Sequence, residues 1–206
     1  MLTCAYCTEK GCYKKNLEKV PKNCPTVNKK DEIDEIDFEY LEEENLKIAQ
    51  ISAEIAISDY GKKSRLKETI EFCQKMGYKK IGLVFCYNVR DEAFVLARVL
   101  KDFGFEVESV ICKVGSIDRG FIDVDNEDKP PMCNPLAQEV LLGEENVDFN
   151  IVFGLCVGHD TLFLQNTKKP ATVLAVKDRL YNHEPMEAIE EAKELLKQNK
   201  SLKLLR

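Results

Sequence analysis

With 206 residues, 44% of them hydrophobic and 32% charged, the chain has the make-up of one ordinary domain plus an appendage. No run reaches about 18 apolar residues, which excludes a membrane-spanning helix. The start, Met1-Leu2-Thr3-Cys4, has neither the basic nor the apolar segment of a signal peptide, so a cytoplasmic location and no membrane partner are expected.

The net charge of −6 is unevenly spread: seven Lys against two Glu in residues 1–30, then nine acidic residues and no basic ones in 31–46. The early lysines are interrupted by cysteines and lead into no recognised nucleic-acid module, so nucleic acid is not an expected partner. Beside thiolates, those lysines serve more simply to offset negative charge. The chain holds nine cysteines, an odd number that does not suit a fully paired disulfide framework. In a reducing compartment, dense cysteine points instead to metal or redox chemistry.

Residues 1–30 have little aliphatic content and no helical or strand period, so burial alone does not organise them. They carry Cys4-x2-Cys7-x4-Cys12-x11-Cys24-Pro25, four soft ligands able to wrap one ion or cluster. Three close cysteines and a distant Cys-Pro lean toward iron–sulfur ligation, a [4Fe–4S] cluster. Zinc on Cys4, Cys7, Cys12 and Cys24 is the alternative, and thiols without metal remain open. No strand precedes Cys4-x-x-Cys7, which speaks against a thioredoxin-like redox pair.

Residues 31–44 form an acidic linker or solvated helix start, and residues 45–206 are expected to be an α/β domain. Ile48, Ile51 and Ile55 recur at helical spacing, with Asp59-Tyr60-Gly61 ending that helix. A second helix carries Leu66, Ile70 and Cys73 on one stripe and stops at Gly77. The pattern then becomes strand (81–86), helix with Asn88 as N-cap and Gly104 as terminator, strand (107–112), and a polar loop over 113–131. Asn134-Pro135 opens a third helix through Leu142. A strand at 151–155, a short helix from Asp160 and a strand at 172–176 follow. Pro185 then opens a last helix with Ile189, Ala192 and Leu196 facing inward. Repeated βα units imply one small, four-stranded, mostly parallel sheet with helices on both faces. There is no Gly-x-Gly-x-x-Gly and no Walker lysine, so a nucleotide site is not expected.

Drawing the strands reveals a second set of cysteines. Cys86, Cys112 and Cys156 fall at carboxyl ends of strands, where open parallel sheets bind ligands, and are candidate ligands of a second cluster. Cys133 precedes a helix N-terminus that favours its thiolate, and is the candidate catalytic thiol, with His159 as proton carrier. Small cysteines also pack at strand ends as plain hydrophobes, which is how Cys73 is read on its helix stripe. Lys177 and Arg179 follow the fourth strand and are candidates to hold an anionic substrate or cluster; a solvent-facing loop with an internal ion pair is the competing account. His183, Asn88, Arg90 and Asp160 are weaker candidates; capping explains Asn88 and Arg90 as easily, and explains Asp160 better than catalysis does.

Cys133-Asn134-Pro135, Gly154-Leu155-Cys156-Val157-Gly158-His159-Asp160, Lys177-Asp178-Arg179 and the cysteine-rich start carry a resemblance. Together they make most of the chain similar to an uncharacterised family of predicted metal-binding proteins from bacteria and archaea. The resemblance implies metal binding through cysteines and no particular reaction. The chain departs from it at Asn182-His183-Glu184-Pro185, where His-Asn-Pro is expected. The residues thus point to a metal-binding protein, iron–sulfur in the leading reading, whose second cysteine site suits redox or sulfur chemistry. Its expected partner is a small-molecule substrate or an electron-transfer partner. The competing reading is a zinc-stabilised binding or regulatory module without catalysis.

Overall fold

The computed structural model describes residues 1–58, 60–124 and 130–205. By its internal contacts the chain parts into two compact units, residues 1–60 and 61–206. The boundary falls at Tyr60/Gly61 rather than near residue 45. The reason is local: helix α4 (Glu43–Ser58) packs on the 3-10 turn Phe38–Leu41, which packs on helix α3 (Lys30–Asp37). The acidic stretch is therefore helical. Asp59, expected to help end α4, lies outside the described residues.

The first unit begins with two short helices, α1 (Gly11–Lys14) and α2 (Pro25–Asn28). Gly11 is the only buried residue among the first 30, which fits their low aliphatic content. α4 buries Ile51 and Ile55.

The second unit is doubly wound. Helix α5 (Arg65–Met76) leads into strand β1 (Lys80–Phe85), helix α6 (Arg90–Asp102) and strand β2 (Glu106–Ile111). Helix α7 (Pro135–Glu144), strand β3 (Phe149–Leu155), helix α8 (Val157–Asn166), strand β4 (Ala171–Val176) and helix α9 (Met186–Lys197) complete it. All strands run parallel in the order β2-β1-β3-β4. Ile81, Leu83 and Ile151 face α5 and α6 with Ile70, Leu96 and Leu100. Val84 and Val152 face α7 and α8 with Leu142 and Phe163. Each such fully buried aliphatic or aromatic side chain contributes roughly 1.5–3 kcal/mol, which explains why near-continuous apolar strands form the centre of the sheet. Among the described residues no helix is long and apolar enough to cross a membrane.

Three local expectations need correction. Asn88 is not an N-cap: Tyr87–Val89 form a 3-10 turn and α6 starts at Arg90. Asp160 does not start α8, which begins at Val157 with Cys156 as its N-cap residue. On α9, Ile189 and Leu196 are 49% and 57% exposed, so its apolar stripe is not buried as the periodicity predicts.

One irregularity governs the site. The β3–β4 register shifts at Val152/Phe153 and again at Phe153/Leu155, around Gly154, whose φ is +67°. A Cβ on Gly154 would lie 2.9 Å from Val89 Cγ2. Gly154→Ala should therefore cost roughly 1–3 kcal/mol through strain and contact, seen as a lower Tm in thermal unfolding. An unchanged Tm would show that the bulge accepts a side chain.

Candidate functional site

The parallel order places a topological switch between β1 and β3, and ligand sites in such sheets open at the carboxyl edge there. Four residues follow directly on the strand ends: Cys86 after β1, Cys112 after β2, Cys156 after β3 and Lys177 after β4. Parallel register pairs Phe85 with Ile111, and the Cys112 N–H donates to the Phe85 carbonyl at 2.9 Å. Cys86 and Cys112 are therefore neighbours across adjacent strands. Gln138, fully buried on α7, ties the same strands together: its Nε2 donates to the Val110 carbonyl at 2.7 Å and to the Phe85 carbonyl at 3.4 Å.

Cys133 arrives from the other side. The Asn134 N–H donates to the Cys112 carbonyl at 2.8 Å, and Asn134 Oδ1 caps α7 by accepting from the Ala137 N–H at 3.1 Å. The cap sets Cys133 beside Cys112, in the same apolar cluster as Cys86. The half-buried His159, in the first turn of α8, lies near enough to Cys133 for each to shift the other's titration. Cys86, Cys112, Cys133 and His159 thus form one group. The N-termini of α7 and α8 both open onto it, adding the positive ends of two helix dipoles.

Cys73 shows what burial does to a thiol without such partners: 0% exposed, it is pushed up to about 12 by desolvation. Cys86 is buried too, yet held well below the ordinary thiol range. The Cys112 S–H is the main cause; the Asn88 N–H and the Lys177 charge add to it, and burial opposes them. Cys133 is held low by the Cys112 S–H and then by His159, with the Lys113 charge helping against burial. Cys112 is raised, chiefly by Cys133, then by Cys86 and by burial, with the Tyr87 N–H opposing. It also accepts the Tyr87 N–H at 3.2 Å. His159 is raised chiefly by Cys133, so the pair favours thiolate and imidazolium. Asp160, the next residue of α8, is pushed up to about 6 by burial.

The remaining candidates divide. Cys156 Sγ accepts from Arg179 Nη2 at 3.2 Å, and Cys156 is not among the residues packed in the cluster of Cys86, Cys112 and Cys133. Lys177 Nζ is buried, without a close hydrogen-bond partner among the described residues, and its charge bears on Cys86. Asp178 closes the turn after β4 by accepting the Leu180 and Tyr181 N–H groups, both at 2.9 Å. His183 Nδ1 lies 2.7 Å from the Val176 carbonyl in that turn. Arg90 pairs on the surface with Asp91. The sequence pattern does not single out Lys113, although it directly follows a strand-end cysteine. Its Nζ donates to the Pro131 carbonyl, and its charge acts on Cys133 and His159.

In the first unit, Cys4, Cys7, Cys12 and Cys24 line one cavity of about 170 Å³, with Lys10, Pro21 and Pro25. Asn23 Nδ2 donates to Thr3 Oγ1 at 2.6 Å and the Met1 carbonyl at 3.1 Å, which draws Cys24 toward the start of the chain. The Cys7 N–H donates to the Cys4 carbonyl at 3.1 Å in a tight turn. Among the described residues no three His, Cys, Asp or Glu side chains converge closely enough to be identified as holding an ion.

A protein family described only as of unknown function, DUF1847, matches residues 24–174. The chain belongs to this family. The family match spans Cys86, Cys112, Cys133, Cys156 and His159, and begins at Cys24. An uncharacterised protein of Methanocaldococcus jannaschii is 45% identical over 191 residues, covering 91% of this chain and 93% of its own length. No solved structure matches.

A thiol near its ordinary pKa of about 8.5 loses reactivity about tenfold for each pH unit below it. Cys133, held low, should be alkylated by iodoacetamide at rates that differ by less than about tenfold between pH 8 and pH 6, whereas the urea-unfolded chain should slow by about 50- to 100-fold. His159→Gln removes the cation and should raise the Cys133 pKa, steepening the profile. Peptide mapping of the label reads both, and a steep native profile would refute the pairing.

Proposed function

We propose that this chain is a metal-binding thiol protein, in which the first unit holds an iron–sulfur cluster and the sheet mouth acts on a small molecule through Cys133. The observation that carries the reading is the Cys133–His159 pairing beside Cys112 at two helix N-termini. A nucleophile within reach of a proton carrier is the arrangement that covalent sulfur chemistry requires. In this role Cys133 attacks, His159 exchanges the proton, and Lys113, Lys177 and Arg179 make the mouth electropositive toward an anionic substrate.

The cluster assignment is supported by the four thiols around one cavity and by the missing core in the first 30 residues. The cavity is several times the ~30 Å³ taken by a water-sized occupant, which leaves room for more than a single atom. When bound, a cluster supplies electron transfer or structural cross-linking. Its thiolate charge is offset by neighbouring lysines such as Lys10. The tight Cys4–Cys7 turn is the one feature favouring zinc, which uses such paired knuckles.

Anaerobically purified protein should contain iron and acid-labile sulfide in equal amounts and absorb near 400 nm. A Cys4→Ser/Cys24→Ser variant should lose both while residues 61–206 still unfold cooperatively. Equimolar zinc without sulfide would replace the cluster by the zinc reading. Protein that takes up neither metal after anaerobic reconstitution would overturn metal binding. Separately, Cys133→Ser should abolish the low-pH alkylation, and a variant that keeps it would overturn the thiol reading.

A further inference from the structure

Resting on the thiol reading of the mouth, we propose that Cys133, Cys112 and Cys86 form a three-thiol relay that reduces a low-molecular-mass disulfide and passes the resulting protein disulfide inward. The sulfurs are ordered by access. Cys133 is half-buried, whereas Cys112 and Cys86 are 1% and 5% exposed. Cys112 lies between the other two: its Sγ accepts the N–H of Tyr87, next to Cys86, at 3.2 Å, and its carbonyl accepts the N–H of Asn134, next to Cys133, at 2.8 Å, while His159 bears most on Cys133. A substrate therefore meets Cys133 first.

The backbone is already spaced for the bonds. Neighbouring strands lie about 4.8 Å apart, and a disulfide needs Cα atoms roughly 4.4–6.8 Å apart. Cys86 and Cys112 continue the parallel register on one face, the side that holds Val84 and Val110. The Asn134 N–H bond to the Cys112 carbonyl brings Cys133 within similar reach.

Each step balances. The Cys133 thiolate attacks one sulfur of R–S–S–R′; that bond breaks, Cys133–S–S–R forms, and R′S⁻ leaves with the His159 proton. Cys112 then attacks the Cys133 sulfur, its proton passing to the departing RS⁻, and a Cys112–Cys133 disulfide remains. Last, the Cys86 thiolate attacks Cys112, forming Cys86–Cys112 and expelling Cys133 as thiolate. Two protein sulfurs have lost two electrons, the substrate disulfide has gained them, and Cys133 is free again. A better-stabilised thiolate leaves faster, and Cys133 has an imidazolium, Lys113 and a helix N-terminus to stabilise it. A dithiol reductant drives the same steps backward and resets the protein.

The test treats fully reduced protein with 5,5′-dithiobis(2-nitrobenzoate) without oxygen, counts released thionitrobenzoate, and maps each cysteine by mass spectrometry; the N-terminal cysteines read out on their own peptides. With reagent in excess, wild type should end with a Cys86–Cys112 disulfide, the freed Cys133 being labelled only in a second round. Cys86→Ser should stop at Cys112–Cys133. Cys112→Ser should keep a stable adduct on Cys133, with Cys86 free, and release two thionitrobenzoates fewer than wild type. Should Cys112→Ser fail to fold, the Cys86→Ser disulfide carries the test alone. A wild-type protein with a lasting Cys133 adduct, and Cys86 and Cys112 still free, would overturn the relay but leave Cys133 a reactive thiol. An unreacted Cys133 would overturn the underlying reading as well. A metal equivalent bound by wild type and lost in Cys112→Ser would overturn the relay, because those sulfurs would then be ligands.

Discussion

A thiolate removed from water survives only where donors and cations replace the hydration it has lost. At the carboxyl edge of this sheet that replacement comes chiefly from one S–H group. Cys112 lies between Cys86 and Cys133 and lowers both, yet it has one proton and donates to one of them at a time. The rest of the edge supports this arrangement. Lys177 and the Asn88 N–H stabilise Cys86, while His159 and Lys113 stabilise Cys133. Gln138 fastens the two strands just ahead of the thiols. With Cys112 removed, the same burial that raises Cys73 would act on its neighbours with less to oppose it.

The parallel fold brings these groups together with few dedicated contacts. Strand ends in one sheet share an edge by construction, and each βα unit starts its next helix there. Cys86, Cys112, Cys156 and Lys177 consequently need only to be the residues after their strands. Which of them meet is decided by pleat. Side chains alternate faces with a period of two, so Cys86 and Cys112 share the face of Val84 and Val110. On β3 the bulge at Gly154 interrupts that alternation: Val152 and Leu155, an odd step apart, both pack in this cluster. Cys156, the next residue, meets Arg179.

Periodicity made the four strands and the sheet class legible, because near-continuous apolar runs between helical stretches have few other solutions. The edge position of Cys86, Cys112 and Cys156 follows from the same reading. The partnership of Cys133 with Cys112 was less accessible, since it depends on the Asn134 N–H reaching across to the strand end. The bulge in β3 was signalled only by a glycine inside a strand, a known mark of one. Lys113 is not legible in the sequence, because a lysine in a loop carries no periodic signal. On α9 the apolar stripe predicts a burial that the structure does not show, because periodicity cannot say whether a partner surface is there to receive it.

The two cysteine groups place opposite demands on their surroundings. At the sheet mouth the core fixes the thiols first: Leu142, Phe163, Val84 and Val152 hold the helices and strands whether or not anything binds. Such a site can present unligated, pre-organised sulfurs, which is what nucleophilic chemistry needs. In the first 30 residues only Gly11 is buried, so little besides local hydrogen bonds holds Cys4, Cys7, Cys12 and Cys24 around their cavity. There the free energy of ligation would serve as folding free energy. The same residue type thus suits a ligand role where the chain lacks a core and a reactive role where the core is complete.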